Sequence, residues 1–255
     1  MQYRININDI DIHKDRSEEF KYIENYKHHQ TFKQALRHYD KNRYENILPY
    51  DNTLVESTGY INANWITDLY IATQGPLEST VIDFWEMIWA TNCTTIIMLT
   101  QLQEKSKSKC YRYYPTNKYL LLNEYKDKNN YILLLNEEYI TKDIIKREFI
   151  YYRQDDNRKI THYQYLKWQD FRCPNLKSFV QLIKLLPKEY PLCVHCSAGV
   201  GRTGVLLTIL YILNHPDEYI NVADTIIKLR EYRMSLVSTV EQLEFCYEVL
   251  HCLLK

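Results

Sequence analysis

Apolar and polar positions alternate in some stretches of the chain and recur at helical spacing in others. "YINANWI" (Tyr60 to Ile66), "TTIIMLT" (Thr94 to Thr100) and "KITHYQYLKW" (Lys159 to Trp168) alternate and predict strands. "STVIDFWEMIWA" places Ile82, Trp85, Met87, Ile88 and Trp89 at mixed helical spacings and predicts a buried helix over 79–90. Further helices are predicted over 176–186 ("LKSFVQLIKLL"), 204–213 ("GVLLTILYIL"), 222–233 ("VADTIIKLREYR") and 240–254 ("VEQLEFCYEVLHCLL"). Strands dominate the middle and helices the last third, with no Gly/Ser-rich or Pro-rich linker and no repeat. This order predicts an α/β fold class: a single domain over 1–255, with a central mixed, twisted β-sheet flanked by helices. The segment 1–40 is expected to be helical and peripheral.

Composition narrows the function classes. The 255 residues suit one large domain with a substantial core. Lys+Arg and Asp+Glu are equal at 32 each, so no global field points to nucleic acid or an anionic membrane, and any anion site must be local. The first twenty residues lack the apolar core of a signal peptide, and Gln2 excludes the N-myristoylation pattern. "VLLTILYIL" is too short to span a bilayer, so no membrane anchor is expected. Seven cysteines without regular spacing suggest neither a disulfide framework nor a zinc site, and favour a reducing compartment. Tyr is frequent at 24, a bias to which no function is attached, whereas Gly is scarce at 5. Three of those glycines, Gly199, Gly201 and Gly204, fall within one six-residue span, where the backbone must need unusual dihedrals or close approach to a ligand.

That span lies in "VHCSAGVGRTGVLL" (Val194 to Leu207). Its glycines spell G-x-G-x-x-G, but a dinucleotide site needs a second strand ending in an acidic residue some way onward. Here the following helix runs into "NHPDEY", where Asp217 and Glu218 follow Pro216 rather than a strand. A second reading uses more of the residues. A thiolate at Cys196, between a strand and a helix, faces successive backbone N–H groups and the positive end of the helix dipole, both of which favour ionised sulfur. The same nest binds a phosphate dianion. Arg202 adds a fork of donors matched to two phosphate oxygens, and Thr203 can place a hydroxyl near the sulfur. A buried cysteine in a glycine turn would leave Arg202 unexplained.

The run His195 to Gly204, "HCSAGVGRTG", resembles the signature of the protein tyrosine phosphatases, and the resemblance covers nearly the whole chain. "NRYENILPYD" (Asn42 to Asp51) resembles the family's phosphotyrosine-recognition loop, and "YINANWI", "ATQGP" and "FWEMIW" follow in family order. "EKSKSKCYRYYP" is similar to the loop whose glutamate braces the signature arginine, which maps that role to Glu104. "HYQYLKWQDF" resembles the movable loop bearing the general acid, and "VSTVEQLEFCY" the loop that positions water. The long N-terminal recognition segment is similar to the phosphotyrosine-specific branch.

The resemblance implies two-step nucleophilic catalysis on tyrosine-phosphorylated proteins, with no metal and no cofactor. Cys196 is the implied nucleophile and Asp170 the acid and then the base, two residues after Trp168. The amides of Ser197, Ala198, Gly199, Val200, Gly201 and Arg202, with the Arg202 side chain, are the implied phosphate cradle. Tyr44 is expected to pack on the substrate ring and set a depth that phosphoserine cannot bridge, and Asn46 stands where relatives grip the peptide backbone with Asp. His195 is placed either to tune the sulfur or to be a satisfied core histidine, and Gln74 is expected to be structural. Three departures bear on rate, the first being Arg172, which stands where the family often has a glycine two residues after the Asp. Gln169 replaces the usual proline between Trp168 and Asp170, and Ser238 replaces the first of two water-positioning glutamines, leaving Gln242 as the second. The expected protein is cytoplasmic, and its compact form is similar to the stand-alone phosphatases of insect-associated bracoviruses, whose setting is the host-cell cytoplasm. The alternative is a weakened phosphotyrosine-binding or substrate-trapping protein.

Overall fold

Strand segments in the computed structural model, numbered along the chain, are β1 (Ile5–Asn6), β2 (Ala63–Ile66), β3 (Tyr70–Thr73), β4 (Thr95–Met98), β5 (Gln103–Glu104), β6 (Lys107–Ser108), β7 (Tyr119–Leu121), β8 (Asn130–Thr141), β9 (Ile144–Arg153), β10 (Asp156–Tyr165), β11 (Leu192–His195) and β12 (Tyr219–Ile220). The helices are α1 (Ser17–Asn25), α2 (Lys33–Arg37), α3 (Val81–Ala90), α4 (Leu176–Leu185), α5 (Gly201–Asn214), α6 (Val222–Arg230) and α7 (Val240–Leu254). The structure describes residues 3–122, 130–168, 173–215, 217 and 219–255.

Eight strands form the central sheet in the order β2-β3-β11-β4-β10-β9-β8-β7 among the described residues. Its middle is parallel, with β11 between β3 and β4 and β4 beside β10; the flanking pairs are antiparallel. Period-two alternation sorts the parallel strands onto two cores. Val194 and Leu192 of β11, with Ile97 and Leu99, pack in the cluster holding α4, α5, α6 and α7. Cys193, Ile96 and Met98 point the other way, against Phe84, Trp85 and Ile88 of α3. Ligands of such sheets collect at the carboxyl ends of parallel strands, and β11 runs directly into the Cys196 loop.

Several expectations change in the structure. The strand predicted over 60–66 is regular only from Ala63, because Ala63 N–H turns back to Ile61 O at 2.9 Å; Asn62 O still accepts from Gln74 N at 3.2 Å, and its side chain donates to Ile47 O and Asn42 Oδ1 at 2.9 Å each. The helix predicted over 222–233 ends at Arg230, releasing Arg233 to a turn. The segment 1–40 is neither wholly helical nor peripheral: β1 pairs with β12, and Arg16 and Glu19 are 1% and 2% exposed. They are inside because they satisfy one another. Arg16 Nη1 donates to Glu19 Oε2 at 3.2 Å, Tyr247 donates to Glu19 Oε1 at 2.5 Å, and the Arg16 guanidinium lies over the Tyr247 ring.

Candidate active site

Alternation along β11 decides which side chain becomes available. His195 follows Cys193 onto the α3 side, and Cys196 follows Val194 onto the α5 side. Cys196 is 5% exposed and sits in a cavity of about 280 Å³ that Tyr44, Lys109, Trp168, Arg202 and Gln242 also line. The loop beyond it turns at Gly199, whose φ is +72°; a Cβ there would lie 2.1 Å from Thr73 O, so only glycine fits. Gly199 N–H donates to the Cys196 sulfur at 3.3 Å. Burial pushes the thiols of Cys93, Cys110 and Cys173 up to about 12, leaving them protonated at neutral pH.

The residue that aims this loop was not foreseen. Arg233 is fully buried; its Nε donates to Gly199 O at 2.8 Å and its Nη2 to Ala198 O at 3.1 Å. Across a trans peptide the carbonyl and the next N–H point in opposite directions. Drawing those two carbonyls to Arg233 therefore turns the N–H groups of Gly199 and Val200 to the other side, and the Gly199–sulfur bond fits this. Asn64 Oδ1 and Asn62 Oδ1 accept the remaining arms at 2.8 and 2.7 Å. Burial brings the guanidinium down to about 10, so it stays charged at neutral pH. In sequence, Arg233 closes the helix predicted over 222–233, and no periodic signal marks it as internal.

Arg202, in the first turn of α5, meets Glu104 side by side: Nη1 donates to Oε1 at 2.6 Å and Nη2 to Oε2 at 2.7 Å. Glu104 precedes a two-residue hairpin turn in which Lys105 and Ser106 have φ of 46° and 63°, a left-handed pair that ordinarily favours Asn-Gly. Thr100 Oγ1 donates to Glu104 Oε1 at 2.9 Å, and Leu99 O accepts from Arg202 Nη1 at 3.2 Å. The pairing expected from the resemblance is thus present in the geometry.

His195 is fully buried, and burial pushes its imidazole down to about 4, so the ring is neutral at pH 7. A carbonyl can only accept, so the 3.0 Å contact to Cys196 O places the proton on His195 Nδ1. Its Nε2 then accepts from Tyr113 OH at 2.7 Å, and Tyr113 OH accepts from His162 Nε2 at 2.8 Å. His195 is thus a satisfied core residue, and its bond to the nucleophile goes to the Cys196 carbonyl rather than to the sulfur. Tyr113, in the loop between β6 and β7, and His162, in β10, carried no sequence signal beyond being aromatic or polar.

Tyr44 reaches the loop from the other side. Ser197 Oγ donates to Lys109 O at 2.8 Å, which uses its proton, so the 2.9 Å contact is Tyr44 OH donating to Ser197 Oγ. Gln74 is structural, as expected: its Oε1 accepts from Arg43 N at 2.8 Å and its Nε2 donates to Lys41 O at 2.8 Å, tying the 41–44 backbone to the end of β3. Asn46 is exposed and lies outside the residues lining the cavity.

Thr203 does not do what the sequence suggested. It is fully buried in α5, and its Oγ1 has no hydrogen-bond partner, so the expected contact with the Cys196 sulfur is not made. The physical reason is burial on the packed side of the first helical turn, away from any acceptor. Gln242 does reach the loop: a Cβ on Gly201 would come 2.9 Å from Gln242 Nε2. Ser238 N–H donates to Gln242 Oε1 at 2.8 Å, while Ser238 Oγ donates to Ser235 O at 2.9 Å. Trp168 is 3% exposed and packs edge-on to Phe179 at 5.1 Å. Gln169, Asp170 and Arg172 lie outside the described residues.

A family model described as protein-tyrosine phosphatase matches residues 38–252. Tyrosine-protein phosphatase non-receptor type 20 of Rattus norvegicus is 35% identical over 232 residues, 84% of this chain and 54% of that protein. Tyrosine-protein phosphatase 2 of Dictyostelium discoideum is 37% identical over 205 residues, 74% of this chain and 53% of its own length. The crystal structure of the catalytic domain of human protein tyrosine phosphatase non-receptor type 18 is similar with a TM-score of 0.81 at 29% identity, covering 94% of this chain and 96% of that one. The chain spans about half the length of the Rattus norvegicus and Dictyostelium discoideum relatives.

Proposed function

The chain belongs to the protein-tyrosine phosphatase family, and from that membership we propose that it hydrolyses phosphotyrosine in proteins through a cysteinyl-phosphate. The observation that carries the reading is the Cys196 sulfur under its own amide loop, with Arg202 fixed beside it by Glu104. In the first step the sulfur attacks phosphorus and the bond from phosphorus to the tyrosine oxygen breaks. Asp170 gives that oxygen its proton. Charge on the three remaining oxygens falls on the loop amides and on Arg202, whose planar fork suits two of them. In the second step water attacks the cysteinyl-phosphate, Asp170 takes its proton, and sulfur leaves as thiolate.

Tyr44 at the cavity wall supports selection by depth, since a short phosphoserine would not bring its phosphorus to the sulfur. No helix of the described residues is long and apolar enough to cross a membrane, and all seven cysteines are free. We place the protein in the cytoplasm, where thiols stay reduced.

Turnover of p-nitrophenyl phosphate and of a phosphotyrosine peptide tests the reading. Wild type is expected to hydrolyse both, and Cys196→Ser to bind the peptide without turning it over. Arg202→Lys is expected to lose binding and turnover together, because a point charge cannot replace the fork. Full turnover by the serine variant would sink the covalent mechanism, and peptide binding without wild-type turnover would leave only the substrate-trapping alternative.

A further inference from the structure

The turn between β8 and β9, the chain after β10 and the start of α4 enclose a second groove of about 620 Å³. Lys142, Asp143, Lys167, Asn175, Lys177 and Ser178 are among the residues lining it. The three lysines come from three separate elements, are all exposed, and have no ion-pair partner among the described residues. The chain as a whole carries no excess of positive charge, so this gathering is local.

Between the lysines lies an unusual carboxylate. Asp143 is 6% exposed, and its Oδ1 is buried without a hydrogen-bond partner. Its backbone is fully used, the N–H donating to Thr141 Oγ1 at 3.1 Å and the carbonyl accepting from Leu166 N at 2.8 Å. The side chain therefore does nothing for the turn. Ser178 Oγ is likewise buried, and Tyr165 OH, buried too, lies beside it. Asn175 caps α4 by accepting from Ser178 N at 3.1 Å, which leaves the N–H groups of Leu176 and Lys177 without an intrahelical acceptor. Buried polar atoms in folded proteins are nearly always paired, so Asp143 Oδ1 calls for a partner from outside the chain, a water or a ligand group.

The combination is selective. Three ammonium groups and the positive end of α4 call for several negative charges spread along a ligand. The Asp143 carboxylate calls for a donor, which a peptide N–H supplies. A water could satisfy Asp143 but would not account for the lysines. We propose that this groove docks an acidic peptide segment of the protein substrate: its carboxylates meet Lys142, Lys167 and Lys177, and a backbone N–H meets Asp143. Lys167 lines this groove, and its chain neighbour Trp168 lines the catalytic cavity. This docking role rests on the proposed action on protein substrates.

Fluorescence anisotropy of a fluorescein-labelled oligoglutamate peptide without phosphotyrosine, titrated with the whole chain, tests binding apart from catalysis. Lys142→Gln/Lys177→Gln is expected to bind it about tenfold more weakly, and added salt to weaken the wild-type complex. Equal binding by both proteins, or displacement of the peptide by an equal concentration of inorganic phosphate, would overturn the proposal. The kinetic arm uses a phosphotyrosine peptide followed by glutamates. The double variant is expected to raise its KM several-fold, with kcat and p-nitrophenyl phosphate turnover unchanged; an unchanged KM overturns the substrate role. Should the wild type turn over neither compound, the phosphatase reading fails, and the anisotropy experiment still decides the groove.

Discussion

Arg202 and Glu104 hold each other through two parallel bonds of 2.6 and 2.7 Å, with both side chains only 9% exposed. The pair joins the start of α5 to a hairpin turn that is distant in sequence. It fixes the plane of the guanidinium before any substrate arrives, which is what a fork for phosphate oxygens requires.

Removing the carboxylate should therefore cost stability and rate together. Glu104→Ala takes a bidentate, buried carboxylate from Arg202, and a loss of about 3 kcal/mol is expected in urea unfolding. With the plane of the guanidinium no longer set by the carboxylate, kcat/KM should fall roughly 10²-fold. Unchanged kcat/KM in a folded Glu104→Ala would show that Arg202 needs no brace.

Arg233 offers a test of the loop amides. In Arg233→Met the Ala198 and Gly199 carbonyls lose their donor and can turn inward, taking the following N–H groups out of the nest. Loss of oxyanion-type donors costs roughly 10²–10³ in rate, and vanadate affinity should fall with it. Arg233→Lys should rescue little, since one ammonium cannot span two carbonyls and two asparagines. Wild-type vanadate affinity in Arg233→Met would remove the residue from the phosphate site.

Burial of the two imidazoles predicts a dependence of stability on pH. The folded value of His195 lies at about 4, below the ordinary 6.5, and that of His162 is also held well down, by burial and then by Arg147. The unfolded chain thus binds protons more readily. The stabilisation is full above pH 6.5 and drains away as pH falls from 6.5 towards 4, by about 3 kcal/mol for His195 alone. Glu19, whose burial raises its carboxyl, works in the opposite sense at the acid end. Urea unfolding at pH 7 and pH 5 should differ accordingly, and equal stabilities at the two pH values would contradict the assignment.

Ser238 gives a kinetic prediction. Its backbone N–H pins Gln242, but its hydroxyl is spent on Ser235 O and replaces the longer amide of relatives. The first step should be nearly intact while the attacking water is less well aimed, and a misplacement of about 1 Å can cost roughly 10²-fold. Rapid quench should show a burst of phenol release approaching one per enzyme, and Ser238→Gln should raise the steady rate. A linear time course, with no gain in Ser238→Gln, would refute this.

What the sequence by itself determined is the chemistry that is local along the chain. Cys196, the glycine loop and Arg202 fall within seven consecutive residues, so their geometry follows from backbone dihedrals and one strand-to-helix junction. The roles of Glu104 and Tyr44 became legible only because their segments resemble those of a family. Tertiary structure decided the rest. The inwardness of Arg233, Arg16 and Glu19 has no periodic signature, because a charge is buried only where distant partners satisfy it: Asn62, Asn64 and the loop carbonyls for Arg233, and Tyr247 for Glu19. Thr203 is the converse case. Its place beside the arginine suggested a hydroxyl at the sulfur, but the packing of α5 set its direction, and no sequence neighbour records that. Alternation put Cys196 and His195 on opposite faces of β11; only the packing of α3 on one face and α5 on the other made one a cavity residue and the other its buried support.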